Sequence, residues 1–85
     1  MMREQLLDHR MRVVGRKQVL RALSKDEAAE VFLARDGDPF IAREIREAAG
    51  KAGVPVTDAE SMAQLGRACG IEVGASVAAS LKISN

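Results

Sequence analysis

Lys17 and Arg21 stand four residues apart, a spacing that puts two long cations on one face of a helix within reach of one anion. Ahead of them is Gly15, which separates "RVV" from the run "RKQVLRALSK". A glycine between strand and helix lets another backbone come close, because it carries no Cβ. The free N–H groups of the first helical turn then point outward at the positive end of the helix dipole. Helix starts of this kind are ready anion sites. Gln18 adds an amide that both donates and accepts, which suits base edges. A solvated basic face, with Gly15 serving only the turn, fits the same residues and is the stronger reading on spacing alone. The stretch is no Walker loop, since the second glycine and the Lys-Ser/Thr ending are missing.

Charge distribution sharpens the question. The 85 residues carry thirteen basic and twelve acidic side chains, a net charge of +1, so the total says nothing about nucleic acid. Yet Arg10, Arg12, Arg16, Lys17, Arg21 and Lys25 fall in one window that contains no acid. The acids gather at 26–30, 36–38 and 58–60. A second odd stretch is "GIEVG" at 70–74, where Ile71 and Val73 flank Glu72 inside a loop bounded by glycines. They either tuck under the sheet or form an apolar rim for an unstacked base, and Glu72 reads as a solvated charge.

Other chemistry finds little support. Asp36 and Asp38 leave most ligands of a calcium site unaccounted for, so turn and helix-cap roles are expected. His9 has no partner for metal binding or catalysis, and Cys69 reads as a small buried residue at a helix end. One cysteine excludes an internal disulfide. No nucleophile-base set can be assembled, so a non-enzymatic protein without cofactor or metal is expected. The polar N-terminus and the absence of a long apolar run point to the cytoplasm.

These residues need elements to hold them. The length fits one domain over 1–85, and an apolar fraction of 47% calls for a packed globule. A short polar helix is expected over 3–11, a strand at 12–14 and a helix over about 16–24. "EVFLAR" at 30–35 reads as a buried strand. Asp38 and Pro39 start a helix whose inward face is Phe40, Ile41, Ile45 and Ala48 or Ala49. "VPVT" at 54–57 is a short strand in which Pro55, lacking a donor, marks either a sheet edge or the strand's first residue. Ser61 caps a helix that Gly70 ends, and "SVAASLKI" is the last strand. Ser24 and Glu27 have capping-box spacing, but the segment is too short for a helix before the next strand. Alternation of this kind predicts a small sheet with helices on both faces.

In order and spacing, "VVGRKQVLRAL", "EVFLARDGDP" and "ESMAQLGRACGIEVGASVAA" resemble the kink-turn-binding ribosomal protein family. That family includes the archaeal L-seven-Ae protein, its eukaryotic ribonucleoprotein relatives and the short bacterial YbxF type. The resemblance covers about residues 12–81, and "LGRACGIEVGAS" is its most specific part. It implies an α/β fold, a three-layer α/β/α sandwich with a small mixed four-stranded sheet. It also implies binding to kink-turn RNA, in which tandem sheared G·A pairs beside a bulge bend the duplex. Carried over by position, Gly15 permits close approach to the RNA. Lys17 and Gln18, where archaeal members have Asn and Glu, meet the guanines of the G·A pairs. Arg21 matches a family Lys that meets phosphate or base, Arg16 replaces a Thr, and Lys25 adds a peripheral phosphate contact. Ile71, Glu72 and Val73 match the segment that packs against the flipped-out bulge nucleotides. The expected partners are ribosomal or other structured RNA, with the ribosome as setting and a monomer as the state. A protein-interaction adaptor on the same fold is the alternative.

Overall fold

The structure is a computed structural model that describes residue 8 and residues 10–82. Among the described residues, three helices alternate with four strands in the order β1 (Arg12–Val14), α1 (Arg16–Ser24), β2 (Ala28–Ala34), α2 (Pro39–Ala52), β3 (Val56–Ala59), α3 (Met62–Ala68) and β4 (Val77–Leu81). The strands form one sheet in the order β1-β4-β2-β3. β4 runs antiparallel to both β1 and β2, whereas β2 and β3 are parallel. The parallel pair needs a crossover, and α2 supplies it.

β2 and β4 are the central strands and are the most buried, with Val31 to Ala34 and Val77 to Ser80 all enclosed. Both faces of the sheet are covered, which is why these strands read as continuous apolar runs. On one face Val19, Ala22 and Leu23 of α1 and Ile45 and Ala49 of α2 pack on Val31, Leu33, Val77 and Ala79. On the other, Leu65 of α3 and Cys69 pack on Phe32, Ala34 and Ala78. The alanines of β4 let helices approach from both sides. The expected three-layer α/β/α sandwich and mixed four-stranded sheet are what the chain forms.

The expected helix over 3–11 falls mostly outside the described residues; Asp8, Arg10 and Met11 form a turn, with Met11 N–H donating to Asp8 at 2.8 Å. The strand expected at 30–35 spans Ala28–Ala34. β3 begins at Val56, two residues later than expected, and lies at the sheet edge, with the Pro55 carbonyl accepting from Val31 N–H. No new helix forms after α1 ends at Ser24, as expected. Ser24 Oγ turns back to donate to the Arg21 carbonyl, and Asp26 takes a left-handed conformation at φ 59°. Phe40, expected on the inward face, is instead 77% exposed. It occupies the second position of α2, where Asp38 and the sheet end direct it away from the core that Ile45 fills.

Candidate nucleic-acid interface

The three described helices all start at one end of the sheet. Hydrogen bonds sew this end together: Gly15 N–H to the Val77 carbonyl, Ala34 N–H to Ser76, and Arg35 N–H to Ala59. Asp36 Oδ1 accepts from Met62 N–H at 2.7 Å, so the turn after β2 also holds the start of α3. Two of the helix starts are capped by side chains. Asp38 accepts from Phe40 N–H at the start of α2, and Ser61 Oγ accepts from Gln64 N–H at the start of α3. The turn and cap roles expected of Asp36 and Asp38 are thus filled.

The start of α1 differs. Gly15 is its N-cap, with no side-chain cap and no acid in the first turn. Its φ of 105° lies where side-chain-bearing residues are strained. A Cβ there would also meet Gln18 Oε1 at 2.8 Å. Glycine is therefore required by backbone shape, and the amides of the first turn are left for solvent or a ligand. The uncapped dipole end and its cations share one surface.

The cations of the basic window do not behave alike. Arg16 makes two bonds to Glu44 of α2, at 2.5 and 2.8 Å, between half-exposed side chains. Hydrogen bonding to Arg16 lowers the Glu44 carboxyl pKa below its ordinary value, so the pair is charged at neutral pH. Arg12 turns inward to donate to the Cys69 carbonyl at 3.1 Å and ties β1 to the end of α3. Arg10 pairs with Asp8. Lys17, Gln18, Arg21 and Lys25 are exposed, and the three cations make no ion pair with the described residues. These four are the side chains of the window that no described carboxylate holds.

Residues 70–76 form the second part. Gly70 is left-handed at φ 74°, as the end of α3 requires. Ile71 N–H then donates to Gly66, and Ala75 N–H to Met62, so both ends of the loop are pinned to α3. A Cβ on Gly66 would overlap the Val73 carbonyl oxygen, and one on Gly74 would press on Met62 at 3.1 Å. These glycines let the loop lie directly on the helix. The two readings of Ile71 and Val73 are divided between them. Ile71 packs partly on the Phe32 cluster, while Val73 is 70% exposed. Glu72 is exposed beside it.

Sequence reasoning missed Arg12 as a tie and Gly66 as the seat of the loop. The small residue inside "QLGRAC" was the available signal for Gly66. It also missed an open cleft of about 610 Å³ beside α2, lined among others by Arg35, Pro39, Arg43 and Arg46. Cys69 is buried as expected, and that burial raises its thiol pKa. His9 lies outside the described residues. Among the described residues, no three of His, Cys, Asp and Glu gather as metal ligands do, and no helix is long and apolar enough to cross a membrane.

With this geometry in place, comparison with known proteins is decisive on one point. The sequence profile of the ribosomal protein L7Ae/L30e/S12e/Gadd45 family matches residues 3–85. The chain belongs to this family. Among family relatives, an RNA-binding protein of Geobacillus sp. strain WCH70 is 47% identical over 79 residues, covering 93% of this chain and 96% of the relative. The RNA-binding protein YbxF of Geobacillus stearothermophilus is 49% identical over 70 residues, covering 82% and 85%. The Giardia lamblia 15.5kD RNA binding protein superposes with a TM-score of 0.84 at 29% identity, covering 95% of this chain and 72% of that one. A Bacillus halodurans protein of unknown function has the same fold, with a TM-score of 0.82 at 23% identity over 93% and 83% of the two chains.

Proposed function

We propose that this protein binds RNA and recognises kink-turns through the start of α1 and the loop 70–76. The observation that carries the reading is the α1 start: it lacks a side-chain cap, while the starts of α2 and α3 have one. Its amides and dipole favour an anion, Gly15 admits a close backbone, and Lys17 and Arg21 add positive charge. Phosphate contacts of this kind position a nucleic acid but do not read it. Reading falls to Gln18 and Lys17, which offer the G·A pairs an amide and an ammonium. The exposed Val73 gives the bulge nucleotides an apolar contact. The names of the Geobacillus and Giardia relatives, all RNA-binding, support the same class.

The role is binding and not catalysis. It suits a cytoplasmic monomer on ribosomal or other structured RNA. A gel-shift titration with a kink-turn, against the same RNA with its G·A pairs replaced by Watson–Crick pairs, tests it. Clear preference for the kink-turn is expected, and equal affinity for both overturns the specific reading. A protein-interaction adaptor would use the exposed Val73 instead; it is indicated if neither RNA binds.

A further inference from the structure

The chain has two phenylalanines, and they do opposite things. Phe32 is 1% exposed at the centre of the sheet, whereas Phe40 is 77% exposed on α2. Phe40 and Val73 are the exposed large apolar residues among those described. Both lie at the end of the sheet where the helices start. Val73 is on the α3 side of the sheet, and Phe40 is on the side covered by α1 and α2.

The ring's position follows from how α1 and α2 lie together. Arg16, the first residue of α1, is bonded to Glu44 of α2. Further along, Leu20, Leu23 and Ser24 share a groove with Ala48, Lys51 and Ala52. The two helices therefore run side by side in the same direction. Phe40 comes four residues before Glu44, about 6 Å along the helix axis. It therefore lies one helical turn before the Arg16–Glu44 pair on α2, toward the end of the sheet where α1 also starts.

Its neighbours are suited to a nucleotide. Phe40 and Leu20 line a groove with Arg43, which is exposed and makes no ion pair with the described residues. Of the groove's two acids, Glu44 is already matched by Arg16, which leaves exposed Glu47 against the two cations Arg43 and Lys51. An open aromatic face beside an unengaged guanidinium is the equipment of single-stranded nucleic-acid binding, where bases stack and phosphates are neutralised. A docked protein helix would need a longer apolar floor than Leu20 and Ala48 provide, since the rest of the groove is charged.

We propose that Phe40 is a stacking platform for an unpaired base of the RNA held at the α1 start, with Arg43 on a neighbouring phosphate. This rests on the RNA-binding reading above and extends its footprint onto α2.

The test uses a kink-turn RNA carrying 2-aminopurine in turn at each bulge position and in short single-stranded extensions of either strand. Wild-type protein should quench the probe at one position, and Phe40→Ala should abolish that quench. The same variant should bind about five- to a hundredfold more weakly, the range of one lost base stack. Phe40→Trp should restore both effects and Phe40→Leu should not. Because the ring is exposed, Phe40→Ala should leave the thermal midpoint unchanged. Unchanged affinity and quench in Phe40→Ala overturn the platform while kink-turn preference in the wild type still stands. Equal weakening on RNA without unpaired nucleotides also overturns it. A wild type that binds neither RNA removes the parent reading as well.

Discussion

Residue by residue, the proposed interface turns on which cations are already engaged. Lys17 and Arg21 are exposed with no ion pair among the described residues, while Arg16 is held by Glu44. Lys17→Ala and Arg21→Ala should each weaken kink-turn binding about five- to fiftyfold, as losing a charge-assisted contact does. Both should leave the melting temperature in place, and calorimetric titration beside thermal melts checks this. Glu44→Gln should act the other way. It frees the Arg16 guanidinium at the edge of the α1 start and removes a negative charge, so affinity should rise several-fold at low salt. The Glu44 pKa is lowered by its bond to Arg16. The pair's contribution is therefore present above the usual carboxylate range and lost as pH falls through the lowered value. Titrating Glu44 by NMR should give a lowered value that returns to normal in an Arg16→Ala variant.

At the scale of elements, the loop after α3 depends on a helix surface with nothing on it. Gly66→Ala puts a methyl against the Val73 carbonyl oxygen, and the backbone there cannot swing away as a side-chain tip would. The variant should lose roughly 1–3 kcal/mol of stability, or about 5–20 °C in melting temperature, and should bind RNA more weakly as the loop shifts. Val73→Asp separates the two roles. Its side chain is exposed, so melting should hardly change while binding falls; unfolding of this variant would return Val73 to the core. How far these elements can be read from sequence depends on locality. The α1 and α2 starts and the Ser61 cap are legible because a cap is decided by a few adjacent residues. Phe40 is not, since period 3.6 places it on the inward stripe while the first turn of α2 extends past the sheet it covers. Arg12 is not legible either. It belongs by type to the basic window, and its partner at Cys69 is distant in sequence and appears only when the sheet closes.

At the scale of the whole molecule, one end of the sheet collects three helix starts, an anchored loop and an excess of unengaged cations. Balanced net charge hides this arrangement, because several acids near that end serve as caps and ion-pair partners: Asp36, Asp38, Glu44 and Asp58 are engaged, while Glu72 stays exposed in the loop. Binding should therefore depend strongly on salt. If four cations reach phosphate, log affinity should fall against log salt with a slope of about −3. Titrations across a salt series measure it, and a flat line would contradict phosphate contact.

On the proposed reading, the α1 start reads the G·A pairs through Gln18 as well as holding phosphate. The most direct measurement is a calorimetric cycle in which wild type and Gln18→Ala are each titrated with a kink-turn and with its G·A-replaced counterpart. Wild type should prefer the kink-turn, and Gln18→Ala should lose about 1–2 kcal/mol of that preference, the worth of a specific base-edge contact. Preference left intact in Gln18→Ala, or affinity lost equally for both RNAs, would contradict it.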